Sequence, residues 1–460
     1  MRFDPQRAAI RFGCGLSPKI APPSSVAATL ALLQGADNAA ADFPIPGFEQ
    51  TRTALLEIRQ ARRGIRKAPT DAERDAARKY QRQLRRKLRA DAVGWFRQGL
   101  LRRAFTEDGF RERLTFFWAD HFTAKGDSAR SRDGVMPYVE EAIRPHVAGR
   151  FADMLKSVVT HPVMLDYLDQ IRSVGPNSDF AQKRQRNEGV NENFARELLE
   201  LHIMGADGPH TQADIRQMAK LLTGLHFDLK RGFTFRGERA EPGAETVLGQ
   251  SYGGGPPRLA DIFDALEHLA RHPATARHIA RKLAVHFVSD TPDTDLLADL
   301  AAAFTQTEGD LIAVYEVLLS HPAAWRDGPG NVKQPIDFIG SSLRALDLVP
   351  RHVPTGVRDL RRVALGPLTL MGQDWTNPVG PDGWPEADAD WITPQRMAAR
   401  IHWAMSAPFL LRRVLPDPRD FVQVALGGAG RDDLIFAARA AETRAEGIGI
   451  ILASPQFQRT

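Results

Sequence analysis

The chain has 460 residues, 43% hydrophobic and 25% charged, with one cysteine, a net charge of +5 and a pI near 9.4. That length can bury a large core and gives a soft expectation of two or three domains. No apolar run reaches the roughly 18–20 residues a membrane helix needs, and the lone Cys14 rules out an intramolecular disulfide.

The basic character is local. Between Arg52 and Arg103 there are 17 Lys/Arg against 5 Asp/Glu, a net of +12, which leaves about −7 for the rest of the chain. The opening residues, MRFDPQRAAIRFGCGLSP, contain no apolar h-region and no small-residue cleavage site. A cytoplasmic location is therefore expected, with export on a partner as the other route.

In chain order, residues 1–48 are expected to form a helical segment packed on the core, including a helix over Val26–Gln34. Residues 49–105 read as a basic helical hairpin. Thr70 followed by Glu73 is a capping box, so the second hairpin helix should start at Asp71. That helix is polar nearly all round at first and turns apolar at Trp95, Phe96, Leu100 and Leu101, as expected of a hairpin projecting from a body.

Residues 106–225 read as a central helical core. GFRERLTFFWADHFT should be a core helix ending near His121. His161, His272, His321 and Ser454 each precede a proline at the end of an apolar stretch, which marks caps of new helices. A helix is expected over Thr211–Thr223, capped near its start. Residues 226–258 switch to alternating Phe and Thr and end in glycines, a small β-hairpin or irregular insertion. Residues 259–460 resume as helices, interrupted at 371–394 by a loop rich in Pro, Gly and Asp. Trp375, Trp384 and Trp391 in that loop argue against disorder. The fold class expected is mainly α: a large multi-helix protein with a projecting basic hairpin and a small β insertion.

VNENFARELLELH, from Val190 to His202, carries the densest set of polar groups. With Asn191 as N-cap and Glu192 in the first turn, a 100° step places Asn193, Arg196, Glu197 and Glu200 on one face and the leucines with His202 on the other. A carboxylate-bridged metal site uses Glu-x-x-His with both groups facing inward. Here the residue three on from Glu197 is Glu200, so the metal pattern is weak. The bland alternative is a charged outer face and a satisfied core histidine. If instead the polar face lies buried against the helix of His121, mutual repulsion would raise one carboxyl pKa, as in a general acid.

The segments AAIRFGCGLSP, LTFFWADHFT, HPVMLDYLDQIRSVGPNS, GVNENFARELLELHIMGADGPHTQADIRQMAKLLTG, HPATARHIARKLAVHFVSD, LLSHPAAW and ILASPQFQR together resemble DUF1800, a large bacterial family of unknown function. The resemblance implies a mainly helical protein, and a companion, because many members carry export signals and are encoded beside sulfatase-like proteins. The residues matching its polar pattern are His121, Asp169, Asn191, Glu192, Asn193, Arg196, Glu197, Glu200, His202, Thr211, Asp214 and Lys333. The chain departs from the pattern where members show His-Asp before Pro-Gly: Ala240, Glu241 and Glu245 stand there. Leu225 replaces a tryptophan, with His226 beside it as a possible substitute.

Three functions are open on these grounds. One is an assembly or scaffold partner of a sulfatase-like companion, with tryptophans as anchors. A second is a hydrolase or metal-dependent enzyme in which His121 is the acid/base, Asp169, Glu197 and Glu200 supply carboxylates, Asn193 orients and Arg196 clamps an anion. No phosphate loop, nucleophile elbow or zinc signature accompanies it, and no cofactor is indicated. The third is nucleic-acid binding by the basic hairpin. Arginines placed all round a helix without interleaved aromatics argue against it.

Overall fold

The computed structural model describes residues 3–184, 189–326, 328 and 330–460. Its architecture is helical, with two small antiparallel hairpins as its only sheets among the described residues.

Two apolar cores organise the helices. One gathers Phe12, Phe117, Trp118, Phe151, Phe194, Leu283 and Tyr315; the other gathers Phe96, Leu101, Phe338, Trp391, Trp403 and Phe457. Two helices feed both. The helix Asp71–Phe105 gives Leu88 and Trp95 to the first core and Phe96, Leu100 and Leu101 to the second. The aromatic helix Gly109–His121 gives Phe117 and Trp118 to the first and Phe116 to the second. Of its 13 residues only Ala119 escapes full burial. Its charges must therefore find partners. Arg113 and Arg103 share the buried Asp337, Glu112 takes Arg144 at 2.5 Å, and Arg111 takes Asp108 at 2.9 Å.

The basic hairpin consists of Phe48–Lys67 packed against Asp71–Phe105. Thr70 Oγ1 accepts from the Glu73 amide at 3.3 Å, and Glu73 Oε2 accepts from the Thr70 amide at 3.2 Å, which starts the long helix at Asp71. Burial in the first helix stops at Ile58 and in the second begins at Leu88. The segment between them stands clear of the body, and its charges are solvated.

The expected single insertion is two hairpins. Leu225–Asp228 pairs with Gly232–Phe235, and Ala244–Val247 with Gln250–Gly253. The second turns through Leu248 and Gly249, both at positive φ as a two-residue hairpin loop requires. The proline-linked caps form as expected. The Nδ1 atoms of His161, His272 and His321 accept from the backbone amides of Val163, Ala274 and Ala323, and Ser454 caps the last helix.

The polar helix differs from a plain α-helix. Glu192–Glu197 is α-helical, but Leu198–Ile203 is a π-helical turn, closed by the Met204 amide on Leu199 O at 2.9 Å. The extra residue per turn changes the register on which a 100° projection depends.

Candidate functional site

Three imidazoles meet where the π-turn crosses the end of the aromatic helix. His121, the last residue of its helix, donates from Nε2 to His202 O at 3.0 Å. His278, on the helix Pro273–Phe287, donates from Nε2 to Leu201 O at 2.9 Å. A carbonyl can only accept, so both rings carry their proton on Nε2. These two bonds satisfy consecutive carbonyls at the end of the polar helix. Ring centroids lie 6.0 Å apart for His121 and His202, and 5.9 Å apart for His121 and His278.

His202 is fully buried, and neither of its ring nitrogens has a partner among the described residues; the same holds for His121 Nδ1. Burial, with Lys282 and His278 nearby, pushes the His202 imidazole down to about 3. Burial, then Lys282 and the neighbouring rings, holds His121 well below the ordinary histidine range. His278 is lowered chiefly by burial. All three are neutral at pH 7.

The tryptophan-rich loop folds over the other side of the aromatic helix. The Trp384 amide donates to Asp120 Oδ1 at 2.9 Å, and Glu386 faces His286 Nδ1 at 3.0 Å. Burial and the Glu386 charge drive the Asp120 carboxyl well above its usual range. Burial also opposes the Glu386 carboxylate, but His286, Lys282 and Arg113 outweigh it and hold that group low. The two carboxyls are thus pushed in opposite directions.

Outside this cluster lies a cleft of about 660 Å³, walled by the Met204–Pro209 turn and by Arg277, His278, Arg281 and Lys282. Positions 277, 278, 281 and 282 share one face of their helix. Arg277 and Arg281 are exposed, while His278 and Lys282 are half-buried.

The sequence-selected residues fall into separate places. Asn193 is exposed, and Glu192, Arg196, Glu197 and Glu200 are half-exposed. Arg196 reaches Glu200 at 3.2 Å, Glu192 at 3.6 Å and Gln212 at 2.9 Å. The face considered for burial against the aromatic helix is therefore open, and His121 meets the backbone of the π-turn rather than those carboxylates. Burial, then Glu200 and Asp382, raises the Glu197 carboxyl above its ordinary value. His202 is buried as expected of a core histidine, but it is not satisfied.

Asn191 caps its helix through the Asn193 amide at 3.0 Å and ties Nδ2 to Leu168 O at 2.9 Å. Asp169 is an exposed residue at φ 57°, paired with Arg172 at 3.3 Å. Thr211 and Asp214 form a capping box, and Asp214 also accepts from the Leu248 amide at 2.7 Å, fixing the second hairpin. His226 rests half-buried with Nδ1 3.3 Å from Ile171 O. Lys333 is buried in the second core, donating to Phe457 O at 2.7 Å, with burial lowering its ammonium to about 7. Glu241, at a departure from the family pattern, accepts from the Asn177 amide at 2.9 Å.

A family model described as a protein of unknown function (DUF1800) matches residues 7–459. The chain belongs to the DUF1800 family. No curated protein and no solved structure matches it. Family membership therefore brings a sequence pattern but no assigned chemistry. Among the described residues, no group of three or more His, Cys, Asp or Glu is arranged to hold a metal ion, and no helix is long and apolar enough to cross a membrane.

Sequence reasoning passed over Asp120, Arg277, His278, Arg281, Lys282, His286 and Glu386. A signal existed for four of them. RHIARK places cations and an imidazole at i, i+1, i+4 and i+5, a single helical face. Asp120 and Glu386 are 266 positions apart and carry no local signature.

Proposed function

We propose that this DUF1800 protein is an assembly module that docks a folded partner protein on the outer face of the helix Pro394–Leu411, the sulfatase-like companion being the partner the family resemblance suggests. The observation that supports this reading is the placement of exposed apolar side chains. Of the large hydrophobic residues exposed among the described residues, all but Tyr80 lie between Leu370 and Phe436. On Pro394–Leu411, Ile401 (44% exposed), Met405 and Phe409 (53%) repeat every four residues, and Leu410 and Val414 extend the stripe. The inner face of the same helix is locked into the core by Trp403, Ala404, Ala407 and Leu411. The stripe cannot turn inward, and contiguous apolar surface of this kind marks interfaces.

Charge narrows the partner. Pro394–Leu411 contains no acidic residue. Arg361 and Arg362, on a turn packed against it, and Arg413 just beyond its end are exposed. A protein with an apolar groove and an acidic rim fits that pattern.

The test is a titration of a purified sulfatase-like protein encoded beside it against the wild-type chain and the Ile401→Glu/Phe409→Glu variant, with sedimentation of each chain alone. The expected result is binding that weakens at least about tenfold in the variant, since each buried side chain of this kind is worth roughly 1.5–3 kcal/mol. Equal binding by both, no binding by either, or wild-type self-association abolished by the substitutions would each overturn it.

A hydrolase is the second reading. What supports it is not the face of Asn193 and Arg196 but the buried imidazoles and the oppositely shifted Asp120 and Glu386, arranged as groups poised for acid–base work are.

A further inference from the structure

We infer that the cleft between the Met204–Pro209 turn and the helix Pro273–Phe287 is a binding site for a phosphate or sulfate monoester of a modest organic group. This is independent of partner docking, which uses a different helix.

The cleft has the volume of a small-molecule site, about 660 Å³. One wall is cationic. Arg277, Arg281 and Lys282 project from one helical face, and none is engaged in an ion pair or hydrogen bond with another described residue. The buried Arg103, Arg113 and Arg144, by contrast, are closely neutralised on Asp337, Glu112 and Asp37. Three neighbouring cations, of which Lys282 also bears on Glu386, raise the potential in a concave site and favour a tetrahedral oxyanion with several acceptor oxygens.

Two carboxylates border the cleft. Asp290 is already used, accepting from the Asp388 amide at 2.9 Å. Asp207 sits exposed on the turn at the opposite side. The remaining wall is apolar or small: Met204, Ala206, Pro209, Ala274, Val285 and Ala387. An inorganic ion would leave that wall bare, whereas an ester would cover it.

The floor is built for close approach. Gly205 has φ +84°, and a Cβ there would stand 2.9 Å from His278 Nδ1. The turn thus closes directly on the imidazole that faces the cleft. Behind it lie His121 and His202 with three unpartnered buried nitrogens. Buried polar atoms without partners are uncommon in folded proteins and mark places where a ligand or water completes the site.

Isothermal titration with phenyl phosphate, phenyl sulfate, inorganic phosphate and chloride at matched ionic strength tests this. The expected outcome is one-to-one binding of at least one phenyl ester, tighter than inorganic phosphate, with no heat from chloride. Affinity should fall at least tenfold in Arg277→Ala/Arg281→Ala and stay unchanged in Arg82→Ala/Arg85→Ala, a control on the projecting hairpin. Both variants alter half-exposed or exposed side chains, so folding is retained and is checked by circular dichroism. No binding of either ester, binding equal to that of chloride, or equal losses in both double variants would overturn the assignment.

Discussion

Replacing His202 by leucine should make the protein less sensitive to acid. The native imidazole is fully buried with no partner on either nitrogen, and its pKa sits at about 3 against an ordinary value of 6.5. Above pH 6.5 the ring is neutral in both folded and unfolded chains. As pH falls below 6.5 the unfolded chain takes up a proton that the folded chain refuses, so stability declines until about pH 3 and then levels off. Each pH unit in that window is worth about 1.4 kcal/mol, and between pH 7 and pH 5 the loss from this residue alone is roughly 2 kcal/mol. His121 and His278 are depressed in the same direction but remain in both proteins and cancel in the comparison. At neutral pH, His202→Leu also removes unpaired buried nitrogens, whose desolvation costs about 1–3 kcal/mol, partly offset by imperfect packing of the new side chain. Urea unfolding of wild type and His202→Leu at pH 7 and pH 5 reads both effects. The variant should lose about 2 kcal/mol less than wild type across that interval. An equal loss in the two proteins would refute the reasoning, because it would mean that the ring titrates normally in the folded state.

Three further outcomes follow from the packing. Asp337→Ala strips the shared counter-charge from buried Arg103 and Arg113 and should cost about 3–5 kcal/mol in urea unfolding; a loss below about 1 kcal/mol would show that the arginines find other partners. Gly205→Ala forces a side chain into a left-handed backbone and against His278, and should destabilise by at least about 1–2 kcal/mol. Thr70→Ala removes one side of the capping box at the hairpin tip and should raise amide exchange over residues 71–75 by a local loss of about 1 kcal/mol, with the core amides unchanged.

The fold was legible where local chemistry dominates. Thr70 with Glu73, Thr211 with Asp214, and the histidine–proline caps each commit a helix start within a few residues, and the structure places them accordingly. The projecting hairpin was legible because a polar surface all round a helix cannot be buried. The site was legible only in part. His121 and His202 were singled out, yet His121 meets the His202 carbonyl rather than the carboxylates considered for it, and the His202 ring, buried as expected, has no partner among the described residues. A regular helical projection ran through Leu198–Ile203, where the backbone takes a π-turn that no residue type announces. Asp120, Lys282 and Glu386 come together through long-range packing of the tryptophan-rich loop and the helix Pro273–Phe287, which periodicity does not encode. The exposed stripe on Pro394–Leu411 was hidden for a related reason. That helix is apolar on both sides, and sequence alone does not say which side the core takes.

Hydrogen exchange on the chain with and without a sulfatase-like protein encoded beside it tests the docking proposal most directly. Protection should appear over residues 398–414 and the turn at 361–365, where the exposed stripe and its arginine rim lie. Protection confined to other helices, or an exchange pattern that does not change on mixing, would contradict it.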